Sequence, residues 1–116
     1  MIGDKGLAKE DLTICQAATF EFSVQHVDRE DQPIDHTNWD VWIRLRPKTS
    51  GRADVILNDC VTEGDDGKFE VLIPADVTKE IPVGKYLWDM MAGDPSGRVV
   101  RLVYGNAELV DTYARD

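Results

Sequence analysis

Cysteine, histidine and long apolar runs are what this chain has least of. Cys15 and Cys60 are its only thiols and His26 and His36 its only imidazoles, in 116 residues. Neither cysteine lies in a CxxC spacing, so no zinc ligand set assembles from local motifs, and no cofactor or structural metal is expected. Two free thiols are expected, because a chain without a secretory leader keeps them reduced; a Cys15–Cys60 bridge across a sandwich is the alternative. No apolar run reaches the roughly 18 to 20 residues of a membrane span, and the opening Met1-Ile2-Gly3-Asp4-Lys5-Gly6 has no apolar leader core. The chain therefore reads as soluble and made in the cytoplasm. Positive charge is also scarce, 13 Lys and Arg against 22 Asp and Glu, for a net charge of −9. Without clustered cations to displace counterions from phosphates, nucleic acid is excluded as a main ligand.

The signatures of catalysis are missing as well. There is no G-x-S-x-G elbow, no phosphate-cradling glycine loop and no H-E-x-x-H helix. A histidine base would have to be His26 or His36, and both read as surface residues, so no catalytic residue and no enzyme is expected. Carboxylates gather in three turns: Asp28, Glu30, Asp31 and Asp35; Glu63, Asp65 and Asp66; and Asp94. None follows the D-x-[DN]-x-[DN]-G pattern of a calcium loop, so solvated turns are expected, with Ca²⁺ collection as the alternative.

What the chain does have is period-two alternation. Phe20, Phe22 and Val24 alternate with Thr19, Glu21 and Ser23, the pattern of a half-buried strand. Val41, Ile43 and Leu45 alternate with Trp42, Arg44 and Arg46 until Pro47 removes a backbone donor, and Phe69, Val71 and Ile73 run likewise to Pro74. Tyr86, Trp88 and Met90 form a fourth set. Its other side carries Leu87 and Met91 besides Asp89, which predicts a central strand covered on both faces. Val99 to Tyr104 and Ala107 to Val110 read as two strands interrupted by a bulge or bend at Gly105, and weaker signals lie at Leu12 to Cys15 and Val55 to Val61. The one helical stretch, Ala75 to Ile81, is too short to form a layer.

Seven or eight short strands without a long helix predict an all-β sandwich, with a closed barrel second, as one domain over residues 10–116 behind a flexible segment 1–9. Ile81-Pro82-Val83-Gly84-Lys85-Tyr86-Leu87-Trp88 resembles the approach to the penultimate strand of immunoglobulin-like domains. That resemblance makes Tyr86 a corner tyrosine, bonded back to the chain, and Trp88 a core plug. Trp39 and Trp42, three apart at a strand start, would suit packing or a subunit contact, or else a platform for sugar rings.

Read in order, several motifs resemble the immunoglobulin-like structural domains of tailed bacteriophages, including the N-terminal domain of baseplate upper proteins. They are Pro33-Ile34-Asp35-x-Thr37-x-Trp39 leading to Arg44-Leu45-Arg46-Pro47, then Asp66-Gly67-Lys68-Phe69, then Pro74-x-x-x-Thr78-x-x-Ile81-Pro82-x-Gly84-x-Tyr86-x-Trp88-Asp89. Ser96-Gly97-x-Val99-x-x-Leu102-Val103-x-Gly105 closes the set, and the whole covers about residues 10–112. The chain departs from the pattern at Asp31 and Asn38, where such domains usually place glycine, and at His36, where leucine is common. It departs again at the end, where Asp111-Thr112-Tyr113-Ala114-Arg115 replaces a Val-Thr-Arg. The resemblance implies a virion protein of the tail, baseplate, neck or capsid surface. Such a protein would pack against other phage structural proteins or itself in a symmetric assembly, with no membrane or nucleic-acid role. Trp39, Trp42, Arg44, Arg46, Asp89 and Met91 are the candidate interface residues. A free-standing carbohydrate- or protein-binding module is the competing expectation.

Overall fold

The structure is a computed structural model that describes residues 2–3, 8–27, 30–49, 51–63 and 67–111. Its elements in order are β1 (Ile2–Gly3), β2 (Ala8–Lys9), β3 (Leu12–Cys15), β4 (Phe20–Val27), β5 (Asp40–Pro47), β6 (Val55–Leu57), β7 (Val61–Glu63), β8 (Lys68–Ile73), α1 (Ala75–Thr78), β9 (Gly84–Gly93) and β10 (Val99–Val110). The smaller sheet runs β1-β4-β8-β7; the larger runs β2-β10-β9-β5-β6, with β3 also paired to β10. The protein is all-β, and β4-β8-β7 opposed to β10-β9-β5 makes it a two-sheet sandwich.

Alternation decides which side of each strand is dry. Phe69, Val71 and Ile73 of β8 and Val24 of β4 meet Ile43 and Leu45 of β5 and Trp88, Met90 and Ala92 of β9 in one buried cluster. Phe22 reaches across the sheets to Trp88, edge to face at 5.7 Å. The weak signal from Val55 to Val61 resolves into two strands because the chain changes sheets there, β6 joining β5 and β7 joining β8. The proline-terminated β8 leads into α1, which crosses back to β9. Thr78 of that turn is fully buried, and its hydroxyl donates to the Ala18 carbonyl at 2.8 Å.

Four expectations need correction. Both histidines are buried, His26 at 5% exposure and His36 at 2%. Strand β4 continues to Val27, so His26 falls on the same inward parity as Phe22 and Val24. The final strand is unbroken: β10 spans Val99–Val110 and pairs along its length with β9, and its bulge lies between Arg101 and Val103, away from Gly105. Gly105 has another reason to be glycine, since a Cβ there would overlap the Glu10 carbonyl. Lastly, β9 is central but its outer side is not covered by a layer, because Leu87 stays 50% exposed.

Other expectations fall at the ends and turns. Within the segment expected to be loose, Ile2 and Gly3 pair with His26 and Val27, and Ala8 and Lys9 with Val103 and Tyr104. Cys15 and Cys60 are free thiols, and burial pushes the Cys60 thiol up from its ordinary pKa. Asp31 and Asn38 take left-handed backbone, φ 63° and 65°, a conformation that glycine adopts freely and Asn and Asp adopt more easily than other residues.

Candidate functional site: the outer face of the larger sheet

Register brings five of the six candidate interface residues to one surface. Trp42 lies opposite Met91, Arg44 opposite Asp89 and Arg46 opposite Leu87 across β5 and β9, all on the side away from the core. Strand β10 adds Arg101 opposite Met91 and Tyr104 opposite Asp89, and β6 adds Ile56 opposite Arg44. Arg101 and Tyr104 share this face only because of the bulge. Without the extra residue, positions three apart would point to opposite sides.

Asp89 is the centre of the surface. It is only 7% exposed although it faces outward, because two guanidiniums cover it. Arg44 Nη2 donates to Asp89 Oδ2 at 2.7 Å, and Arg101 Nε stands 3.4 Å from the same oxygen. The hydrogen bond and the charge of Asp89 raise the Arg44 pKa above its ordinary value. Asp89 Oδ1 is buried and makes no hydrogen bond among the described residues. Beside this group Arg46 Nε lies 3.6 Å from Asp54 Oδ1, an exposed and therefore weak pair.

Apolar side chains surround the charges. Ile56, Leu87, Val99 and Tyr104 are between 37% and 52% exposed, and they are four of the six large hydrophobic residues the described surface leaves open. Trp42 and Val99 flank Gly93, each with an atom 3.8 Å from where a Cβ on that glycine would stand. A shallow depression opens between Arg44, Arg46, Leu87, Arg101 and Tyr104. Apolar area wrapped around a few arginines is the composition of a protein-binding surface.

Trp39, the sixth candidate, does not join this face. It packs against the core and stands edge-on to the His36 ring at 4.7 Å, so Trp39 and Trp42 do not form a double platform for sugar. His26 Nδ1 and His36 Nε2 are 2.8 Å apart, and the rings stack at 5.0 Å. His36 Nδ1 is buried and makes no hydrogen bond among the described residues. The least costly tautomer leaves that atom as an unpaired acceptor and puts the proton on Nε2, donating to His26. Burial, and next the neighbouring His26, lower the His36 pKa to about 4. Ile34 N donates to the His26 carbonyl at 3.1 Å, and Gly67 (φ 72°) sits so close to that carbonyl that only a residue without Cβ fits. The pair thus closes one end of the sandwich.

The tyrosine and tryptophan of β9 face inward. Tyr86 Oη donates to the Pro82 carbonyl at 2.6 Å, across the corner that enters the strand, and Trp88 Nε1 donates to the Glu10 carbonyl at 2.7 Å. The acidic turns use their carboxylates on themselves. Asp35 Oδ1 accepts from the Thr37 amide and hydroxyl, and Asp94 Oδ1 from Ser96 and the Arg98 amide; these bonds hold both carboxyls below the ordinary range. Asp28, Asp65 and Asp66 lie outside the described residues. Among the described residues no three potential ligands converge on a metal position.

Sequence reading missed Arg101, Tyr104 and Ile56. The signal for the first two was the adjacent apolar pair Leu102-Val103, both buried, which breaks strict alternation and marks a bulge.

No protein-family model and no curated protein matches the chain. Among solved structures it is similar to the N-terminal domain of phage TP901-1 ORF48, with a TM-score of 0.55 and 11% identity over 93% of this chain and 92% of that one. At that identity the likeness is one of fold.

Proposed function

We propose that this chain is a structural component of a tailed-phage particle, that it acts by packing and turns over no substrate, and that the outer face of the larger sheet is its packing surface. The observation that carries the reading is the Asp89 carboxylate held between Arg44 and Arg101 inside a ring of exposed apolar side chains. A surface that desolvates a charge pair and leaves Leu87, Val99 and Ile56 open is suited to burial against another protein. The likeness in fold to a domain of a phage protein supports the virion setting. Within the particle, the tail, baseplate or head-to-tail region is the proposed location, and the partner is another structural protein or a further copy. The carbohydrate reading loses its best support with the inward turn of Trp39.

The test is made on phage. Particles purified through a density gradient should contain the chain by mass spectrometry, and Trp42→Ala or Arg46→Glu, whose ion pair is exposed, should reduce its incorporation while the purified variant keeps its melting temperature to within a few degrees. Its absence from purified particles, or full infectivity after deletion of its reading frame, would overturn the proposal.

A further inference from the structure

The outer face of the smaller sheet is the chemical opposite of the surface just described. On it Glu21 lies beside Leu72, Ser23 beside Glu70 and Gln25 beside Lys68, and Thr62 of β7 extends the row at Glu70. Leu72 is 46% exposed. Glu21 and Glu70 are exposed, occupy diagonal positions of the ladder about 7 Å apart, and make no ion pair among the described residues. Lys68, the one cation of the row, sits two residues before Glu70.

Around the depression of the larger sheet the balance is reversed. Arg44 and Arg101 against Asp89 leave one positive charge in excess there, Arg46 with Asp54 adds none, and the exposed Asp40 stands at the far end of β5 opposite Gly93, in a chain whose net charge is −9. The backbones of Arg44 and Arg101 stand two strands apart, about 10 Å, and Leu87 and Tyr104 line the depression beside them.

We infer that copies of this chain associate front to back, with Leu72 of one copy seated over Leu87 and Tyr104 of the next and its Glu21 and Glu70 meeting Arg44, Arg46 and Arg101. Two observations select a second copy as the occupant: the charge complementarity of the two faces, and the presence on the acid face of one exposed leucine that matches one apolar seat. The contact joins opposite sides of the sandwich, so it is heterologous and repeats into a ring or stack. It rests on the reading of the larger sheet's outer face as a packing surface, and because it is tested on the purified chain alone, its failure is distinguishable from failure of the virion reading.

Analytical ultracentrifugation of the full chain tests it. The wild type should associate with rising concentration, and association should weaken roughly tenfold when salt is raised from about 0.05 M to about 0.5 M, since exposed ion pairs are screened over that range. Arg101→Glu and Glu70→Arg should each be monomeric. Their equimolar mixture should form a dimer that grows no further, because one intact acid face and one intact arginine face remain. If Arg101→Glu unfolds the sheet by facing Asp89, Arg46→Glu takes its place. A wild type still monomeric at about 1 mM, weaker than about −4 kcal/mol, overturns the inference. So does a Glu70→Arg variant that associates like the wild type, or a mixture that stays monomeric.

Discussion

Strand β9 carries Tyr86, Trp88, Met90 and Ala92 on one side and Lys85, Leu87, Asp89 and Met91 on the other, and the two sides treat polar atoms in opposite ways. Inside, each polar atom is spent on backbone: the Tyr86 hydroxyl on Pro82 and the Trp88 indole on Glu10. The first bond closes a local corner and the second ties β9 to the N-terminal segment, and a neutral group can make either without giving up a charge. Outside, Asp89 is nearly as buried, and its partners are charged side chains: Arg44 donates to it and Arg101 stands beside it, both partly exposed. The end of the sandwich shows a third treatment. His36 is buried without a charge partner of the Asp89 kind and stays neutral. Depth alone therefore does not decide how a polar group is satisfied; the partner that can be brought to it does.

The sharpest way to break this comparison is Trp88→Ala, which removes the plug of the inner side and frees the Glu10 carbonyl. A loss of about 3 to 5 kcal/mol is expected in urea unfolding. A change under about 1 kcal/mol would mean that the inner side of β9 is not the centre of the core.

Tyr86→Phe keeps the ring and deletes one hydroxyl. Because the Pro82 carbonyl is left without its donor, a loss of about 1 to 3 kcal/mol is expected, with an unchanged β spectrum in circular dichroism. Equal stability of the two proteins would reduce the corner to a packing contact.

The histidine pair is probed by pH. The folded chain holds His36 at a pKa of about 4 against an ordinary 6.5. Between those values the unfolded chain binds a proton that the folded one refuses, so stability is constant in this respect above 6.5 and falls as pH drops towards 4. The loss should be roughly 1 to 3 kcal/mol. His36→Leu should flatten the slope in that window; an unchanged slope would place the titration elsewhere.

Arg101→Ala should have the smallest effect on folding. Its pair with Asp89 is long and half exposed, so about 0.2 to 1 kcal/mol is expected from thermal unfolding, while self-association is abolished. A loss above about 2 kcal/mol would show that Arg101 holds the sheet together and is not a surface group.

Much of this architecture was legible because alternation is a local property. Phe69, Val71 and Ile73 report an inward face within one strand, Pro47 and Pro74 mark strand ends by lacking a donor, and Asp35 with Thr37 forms its turn over three residues. The outer side of β5 and β9 was legible for the same reason, since Trp42, Arg44 and Arg46 share a parity, as do Asp89 and Met91. Trp39 was not, because it precedes the strand and its direction is set by what the loop packs against.

The sequence by itself determined the all-β class, the inward faces of the main strands and the tyrosine-bearing corner, since each depends on contacts a few residues apart. Tertiary structure alone decided that His26 and His36 meet in the interior, that the Val55–Val61 stretch divides between two sheets, and that Arg101 joins Asp89 across 12 residues of chain and one bulge. Those outcomes depend on register and on which loop covers which end. Register and loop placement are chosen by the packing of the whole sandwich, where shifting one residue would reverse the face of every side chain that follows.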